Sequence, residues 1–276
     1  MHALTGFFLG NLFDQPYAML ILIIASVFPD FDLIFIAKGK LSFWEHHRKL
    51  THSLVGVPLF SAIFALFFPN YLSAFLLFLT GMYVHLIYDL TNHCGTEIFY
   101  PFKKRRYALE FTNSVELPLY GIYAVFFTLM IFYDEMAVSK LLFVFSGIYF
   151  VFKGMLHRVA INLASKKYGK CRAWPHFWNI FKWHTIHEEN EMYFISEINL
   201  LRGSIKKVKM FEKAPDYLKE FDKNVKEFLD FAMYPAIETD KNTIKLRDLR
   251  FFATNHFMMV MKTDSMHHVM DEQFKN

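Results

Sequence analysis

Cysteine is scarce in this chain of 276 residues, with only two present. Cys94 and Cys171 share no CxxC spacing and make no disulfide framework, which excludes a disulfide-stapled secreted scaffold and fits a reduced compartment. Net charge is also small. The formal balance of +4 is mild and dispersed, so a nucleic-acid partner is not expected. There is no HExxH, no GxSxG and no P-loop glycine pattern, which leaves metzincin, serine-hydrolase and NTPase readings without support. The N-terminus has neither a basic n-region nor a small-residue cleavage site, so the first apolar segment is expected to stay in the mature protein. No internal repeat and no low-complexity linker interrupts the chain.

Grease is abundant. Apolar residues make up 54% and aromatics 19%, with 34 phenylalanines, a composition unusual for a soluble domain. The apolar runs are concentrated before about residue 163, and the remainder is an ordinary charged mixture. The expected organisation is therefore a mainly α, polytopic membrane bundle of about five to six helical segments over 1–165, followed by a small cytoplasmic α+β domain over 166–276.

Leu4–Phe13 and Tyr17–Phe28 flank a turn at Asp14-Gln15-Pro16, and each falls short of the roughly 20 residues of a straight span. They read as a helical hairpin or one broken helix. Leu54–Phe68 and Tyr71–Leu90 are joined by Pro69-Asn70, and Pro118–Tyr133 and Leu141–Leu163 are the later spans. Lys153, His157 and Arg158 near the end of the last are expected to snorkel to an interface. The polar, basic loops 38–52 and 92–117 and the segment after 163 hold nearly all the basic residues, so the positive-inside rule puts them in the cytoplasm. Beyond 163, strand-like runs cover Met192–Ile198, Ile205–Phe211, Ile244–Phe252 and Phe257–Lys262, with a turn at Thr239–Asn242 and a helix across Pro215–Phe231.

Three clusters could carry chemistry. Pro29-Asp30-Phe31-Asp32 sets two carboxylates beside a membrane segment. His46-His47-Arg48-Lys49-Leu50-Thr51-His52-Ser53 is dense in imidazole. His85, Asp89 and His93 are spaced i, i+4, i+8, which on a helix lines them along one face. Imidazole and carboxylate at membrane depth are costly without partners, and together they suit zinc, manganese or iron. Two metals could clamp a phosphoryl transfer, with Arg48 placed to neutralise a phosphate oxygen. Each cluster also has a plain structural reading. The Asp pair could cap a helix, His46 and His47 could be solvated, and His85–Asp89 could be a hydrogen bond between helices. His184-x2-His187-Glu188 and His267-His268 sit in polar stretches expected to be exposed and uninvolved.

In this order the clusters resemble the bacterial and archaeal inner-membrane proteins of metal-dependent hydrolase type, some of them LexA-regulated. That pattern runs PDxD, HR-x2-THS, then H-x3-D-x-T-x3-G followed by PF. It is met here by Pro29–Asp32, His47–Ser53, His85 to Asp89, Thr91, Gly95 and Pro101-Phe102. Longer members carry a Trp-containing linker and a DxRF-like strand, which Ala173–Trp178 and Asp248–Phe251 resemble. A fainter similarity is to zinc-dependent phospholipase C, which implies a helical multi-zinc phosphoesterase site. In one place the chain departs from the pattern: Thr5 is followed by Gly6 where the family has His, so either His2 reaches that face or one ligand is missing.

The resemblance and the residues together imply an inner-membrane, metal-dependent hydrolase of phosphoesters, with phospholipids as candidate substrates. Asp30, Asp32, His52, His85 and Asp89 are the expected metal ligands, and Asp30 and Arg48 the expected catalytic groups. His2, His47 and His93 are secondary candidates. Zinc is the first choice of ion and manganese the second. The rival readings are a non-enzymatic membrane protein with a structural polar cluster and a partner-binding C-terminal domain, and a metal-ion transporter. The transporter would need ligands near the bilayer midplane, whereas these lie near span ends.

Overall fold

A computed structural model describes residues 1–32, 47–220, 222–240, 243–252, 258–263 and 269–275. The expected basic loop up to His46 and the His267-His268 pair lie outside the described residues. The chain forms two compact units, the first covering described residues up to 159 together with 174–181, the second covering 160–173 and the residues after 181.

The first unit is helical. Its elements are α1 (His2–Gly10), α2 (Ala18–Val27), α3 (Gly56–Ala65), α4 (Tyr71–Thr91), α5 (Leu117–Leu129) and α6 (Glu135–Tyr168), the last running on into the second unit. Helices α1 and α2 form the expected hairpin. Their contact depends on small residues, because a Cβ at Gly6 would sit 2.4 Å from the Leu22 carbonyl oxygen and one at Gly10 2.5 Å from Met19 Cα. Asn70 caps α4 by accepting a hydrogen bond from Ser73 N at 3.2 Å. Leu22 and Ala25 of α2 pack with Leu77, Phe78, Met82 and Leu86 of α4 in one buried cluster. A Cβ at Gly81 would come within 2.6 Å of Ala25 Cβ, so these two helices are also close-packed. A second cluster joins Phe8 to Leu119, Tyr123, Phe126, Val138 and Leu142.

Gly6 occupies the position where the family resemblance expects a histidine. Its Cβ direction faces the backbone of α2, so a side chain there would push the hairpin apart. Gly6→Ala is expected to destabilise the protein by about 3 kcal/mol, since a backbone oxygen cannot step aside as a side chain can. Thermal unfolding in detergent checks this.

Among the described residues, only α4 and α6 are long and apolar enough to cross a membrane by length and composition. Helix α3 has 10 residues and α5 has 13, about 15 and 20 Å of rise against a hydrocarbon core of about 30 Å. The expected set of spans is thus reduced to two helices of sufficient length, although the helical segments themselves are present. Most of α6 is uncovered: of its apolar window only 22% is buried. Lys153 of α6 does not snorkel. It is fully buried, with Nζ 3.2 Å from the Glu116 carboxylate, which also accepts the Tyr149 hydroxyl.

The second unit centres on a sheet whose eight strands neighbour one another in chain order: β1 (Cys171–Pro175, its last two residues belonging to the first unit), β2 (Lys182–Glu189), β3 (Met192–Asn199), β4 (Ser204–Lys213), β5 (Pro235–Asp240), β6 (Thr243–Asp248), β7 (Met258–Thr263) and β8 (Val269–Lys275). Strands β2 to β8 pair antiparallel. Helix α7 (Lys223–Phe231) starts where Asp222 accepts hydrogen bonds from Asn224 N and Val225 N. That cap explains why the helix expected from Pro215 begins later, after a separate 3-10 turn at Asp216–Glu220. Val225, Phe228 and Leu229 of α7 join Leu246, Met259 and Met261 in the core.

Two expectations fail in this unit. The stretch carrying His184 and His187 is strand β2 with both histidines buried. At a three-residue separation on a strand they point to opposite faces, so they cannot converge on one ion. His187 lies between the rings of Tyr168 (4.3 Å) and Phe194 (4.9 Å), both nearly parallel to it. The DxRF-like segment is not a strand either. After Asp248 the chain enters a 3-10 turn at Leu249–Phe251, with Asp248 accepting from Arg250 N.

Candidate metal centre

The centre lies within the first unit, and three local devices deliver its residues. Asp30 and Asp32 lie in a 3-10 turn after Val27, where Pro29 stops α2. His52 ends a 3-10 turn, Leu50–His52, just before α3. His85 and Asp89 are one turn apart on α4, on the face that packs inward. Asp30, His52, His85 and Asp89 bring one donor atom each to within 4.8 Å of one another.

The distances match the size of an ion. His52 Nε2 is 3.1 Å from His85 Nε2, 3.2 Å from Asp89 Oδ2 and 3.7 Å from Asp30 Oδ1. His85 Nε2 is 3.5 Å from Asp89 Oδ2 and 3.7 Å from Asp30 Oδ1. A tetrahedral zinc with bonds of about 2.0–2.1 Å separates its ligand atoms by about 3.3–3.4 Å. Five edges of the donor set therefore scatter closely around that value.

The protons are arranged to suit. His85 Nδ1 is 2.7 Å from the Ser26 carbonyl oxygen, which can only accept, so Nδ1 carries the proton and Nε2 presents a bare lone pair. Thr51 Oγ1 donates to Asp32 Oδ2 at 3.2 Å and so accepts from His52 Nδ1 at 3.0 Å. His52 Nε2 is then bare as well. Asp89 Oδ2 is buried and makes no hydrogen bond. Burial opposes a charge on Asp30, but its neighbours His52 and His85 hold the carboxyl below the usual carboxylate range. With both imidazoles neutral, four lone pairs face one point, an arrangement that calls for a positive charge there, either a metal ion or a proton on His52. In the same sense, burial works against a charge on His52, yet Asp30 and Asp89 draw its pKa upward.

The remaining expected site residues surround this set. Asp32 stands behind His52, with Oδ2 3.5 Å from Nδ1, and accepts from His47 Nδ1 at 2.7 Å and Arg48 N at 2.9 Å. It is outside the four-donor group, in the place of the carboxylate that commonly orients a ligating histidine. His47 thereby holds Asp32. Arg48 does not face an open phosphate site. Its buried guanidinium donates to Asp89 Oδ1 at 3.1 Å, Asn92 Oδ1 at 3.2 Å and the Gly95 carbonyl at 3.5 Å. His93 leaves the helix face because α4 ends at Thr91 with Asn92 as its cap. His2 does reach the site. Its ring stacks on His85 at 3.8 Å and its Nε2 is 3.9 Å from Asp89 Oδ1.

Sequence reasoning missed Ser26, Asn92 and Glu116. Ser26 acts through its backbone carbonyl, which no side-chain pattern can report. Asn92 donates to Asp89 Oδ1 at 3.3 Å. Glu116 helps line a cavity of about 30 Å³, together with His2, Asp89 and Asn92. That is room for one or two waters.

Comparison with known proteins gives the lineage. The model of the YdjM inner membrane protein family matches residues 1–160, more than half of the chain and the stretch within which the four donors lie. A Bacillus subtilis (strain 168) protein described as "Uncharacterized protein YfhP" is 31% identical over 109 residues, covering 37% of this chain and 33% of that protein. The chain thus spans about a third of the length of this curated relative. No solved structure matches. The chain belongs to the YdjM inner membrane protein family, and with it to the proteins of the inner membrane.

Proposed function

We propose that the chain is a multi-pass inner-membrane, metal-dependent hydrolase acting on phosphoesters, lipid headgroups among them, through the Asp30–His52–His85–Asp89 centre at the cytoplasmic face. One observation carries this reading: four donor atoms, two imidazole nitrogens and two carboxylate oxygens, meet at ion-sized separations. A bound divalent ion, with zinc first and manganese second, would supply Lewis acidity and make water a usable nucleophile near neutral pH.

In this reading the protein's own groups divide the work. His52 and His85 present fixed Nε2 atoms because Asp32 with Thr51, and the Ser26 carbonyl, hold their far nitrogens. Arg48 offsets the charge of Asp89 and keeps its Oδ2 aimed inward. Asp30, with the longest edges and a side chain 30% exposed, is the donor nearest solvent, which suits it to pass a proton to or from water. The cavity beside Asp89 and His2 has room for water next to the centre. Multi-pass insertion is supported by the uncovered faces of the apolar helices. Ile148, Val151 and Met155 of α6 and Val125 of α5 are all exposed, a display better suited to lipid than to water.

A specific observation favours a second reading. Four protein ligands close a tetrahedron, and closed sites are usually structural whereas catalytic zinc keeps an open position. The centre would then pin α2, α4 and the 50–52 turn together in a non-enzymatic membrane protein. Turnover separates the two. Purified protein with added zinc or manganese is expected to hydrolyse a generic phosphodiester or a phospholipid. Asp30→Ala is expected to lower the rate by about 100-fold or more, on the order expected when a group that transfers a proton is lost. No turnover on any such substrate by metal-loaded wild-type protein would leave the structural reading standing.

A further inference from the structure

The loop between α4 and α5, residues 92–116, carries a feature that the metal centre does not use. Its neck is closed by a backbone pair, Thr96 N to Tyr107 O at 3.0 Å and Tyr107 N to Thr96 O at 2.9 Å. Buried Arg106 ties that neck down by donating to the His47 carbonyl at 3.0 Å and the Gly95 carbonyl at 3.4 Å. Beyond the neck the chain folds into a compact turn, with Tyr100 N on Glu97 O at 2.8 Å and Phe102 N on Phe99 O at 2.9 Å. The tip is therefore held in shape, and what it holds out is unusual.

Phe102 is 81% exposed and Phe99 42%. Lys103, Lys104 and Arg105 follow, all exposed. Among the described residues none of these three cations has an acidic partner. Lys103 Nζ lies 6.0 Å from the Phe99 ring and Arg105 lies 5.7 Å from the Tyr107 ring. A rigid loop that keeps a phenylalanine in water beside three unmatched cations lacks its complement. An anionic phospholipid headgroup layer supplies both halves, phosphates for the cations and the acyl boundary for the ring.

Position favours the membrane over an acidic protein or a nucleic acid. The loop leaves the end of the apolar 21-residue helix α4 and enters apolar α5. It is stitched back to the helix end by Leu109 N on Leu90 O at 2.7 Å and Thr112 N on Thr91 O at 3.1 Å. We infer that the 99–105 tip docks in the anionic headgroup layer at the end of α4 that carries Asp89. Glu97 N donates to the Arg48 carbonyl at 3.0 Å, so the docked tip is hydrogen-bonded directly to the residue that holds Asp89. The inference rests on the family's membrane location and is independent of the hydrolytic reading.

The test places Phe102→Trp in the full chain. The protein is reconstituted into vesicles of phosphatidylcholine alone or mixed equally with phosphatidylglycerol, in each case with and without acyl chains brominated near the headgroup. The signal is the emission added over wild type, which has four tryptophans of its own. The expected result is blue-shifted added emission, quenched by the brominated lipid and more strongly in the anionic vesicles. Adding Lys103→Glu, Lys104→Glu and Arg105→Glu is expected to remove the anionic-lipid enhancement while leaving the size-exclusion profile unchanged. Added emission that is quenched by aqueous acrylamide alike in both vesicle types and untouched by brominated lipid would overturn the inference. Protection that appears only when RNA or a second protein is supplied would overturn it too. No turnover is measured, so failure here leaves the metal centre's own tests intact.

Discussion

Protein purified without chelator is expected to carry about one transition-metal ion per chain, and the double variant His85→Ala, Asp89→Ala to carry essentially none. Elemental analysis of the intact protein reads this directly. The two substitutions remove half of the donor set from a single turn of α4. The remaining pair, Asp30 and His52, offers too few ligands to hold zinc against buffer. A graded control comes from Asp32→Asn. That carboxylate touches His52 only from behind, at 3.5 Å, so its loss is expected to weaken metal binding by about 10–100-fold without abolishing it. Full metal content in the double variant would remove the basis of the proposed function. A metal-free wild type would do the same, and would point to a proton on His52 as the charge that settles the four lone pairs.

The second large effect is expected far from any metal. Arg250→Ala should destabilise the sheet unit by about 3–5 kcal/mol, because it leaves the Asp248 carboxylate charged and buried without its counterion. The side chains of both residues are completely inaccessible. Arg250 Nε donates to Asp248 Oδ2 at 2.8 Å, and a second guanidinium nitrogen donates to the same oxygen. The guanidinium also lies 5.2 Å from the rings of Phe231 and Phe251 and donates to the Phe231 carbonyl at 3.4 Å. Since Phe231 ends α7, the pair fastens that helix to the end of β6. Arg250→Lys is expected to rescue little, because an ammonium cannot reproduce a planar fork that bonds and stacks at once. Replacing both residues with apolar ones of similar volume should cost less than either single change. Urea unfolding of the full chain, with hydrogen exchange in β5, β6 and α7 as the local readout, distinguishes these outcomes. Single variants as stable as the wild type would show that the pair contributes nothing.

Much of this was legible in the residues, for identifiable reasons. The His85-x3-Asp89 face could be read because helix period is a local property, and a costly polar pair on an apolar helix advertises a partner. Asp30, Asp32 and His52 are the expected partners because they border apolar segments on the same expected side. Where reading failed, the deciding interaction was not local. Asp32 looks like a ligand from its PDFD setting, yet its oxygens are taken by His47, Thr51 and the Arg48 amide. Arg48 looks like a phosphate binder until Asp89 and Asn92 are brought against it by α4. His184 and His187 look exposed because β2 is polar in sequence, and their burial depends on pairing with β3 and stacking against Tyr168. Lys153 looks like a snorkelling residue because its partner Glu116 is remote from it in sequence.

The sequence by itself determined the helical character of the first half, the α1–α2 hairpin, four of the eight strands of the second half (β3, β4, β6 and β7), and which residue types could meet an ion. Period, turn residues and composition act within a few positions of each other, so they can be read along a line. Only the tertiary structure decided which four donors converge, which carboxylate stands behind them, and that Gly6 faces a backbone while His2 faces the centre. Those outcomes depend on the packing of α1 and α4 against α2 and on single carbonyl oxygens such as that of Ser26. Close approach between segments distant in the chain has no local signature until the chain is folded.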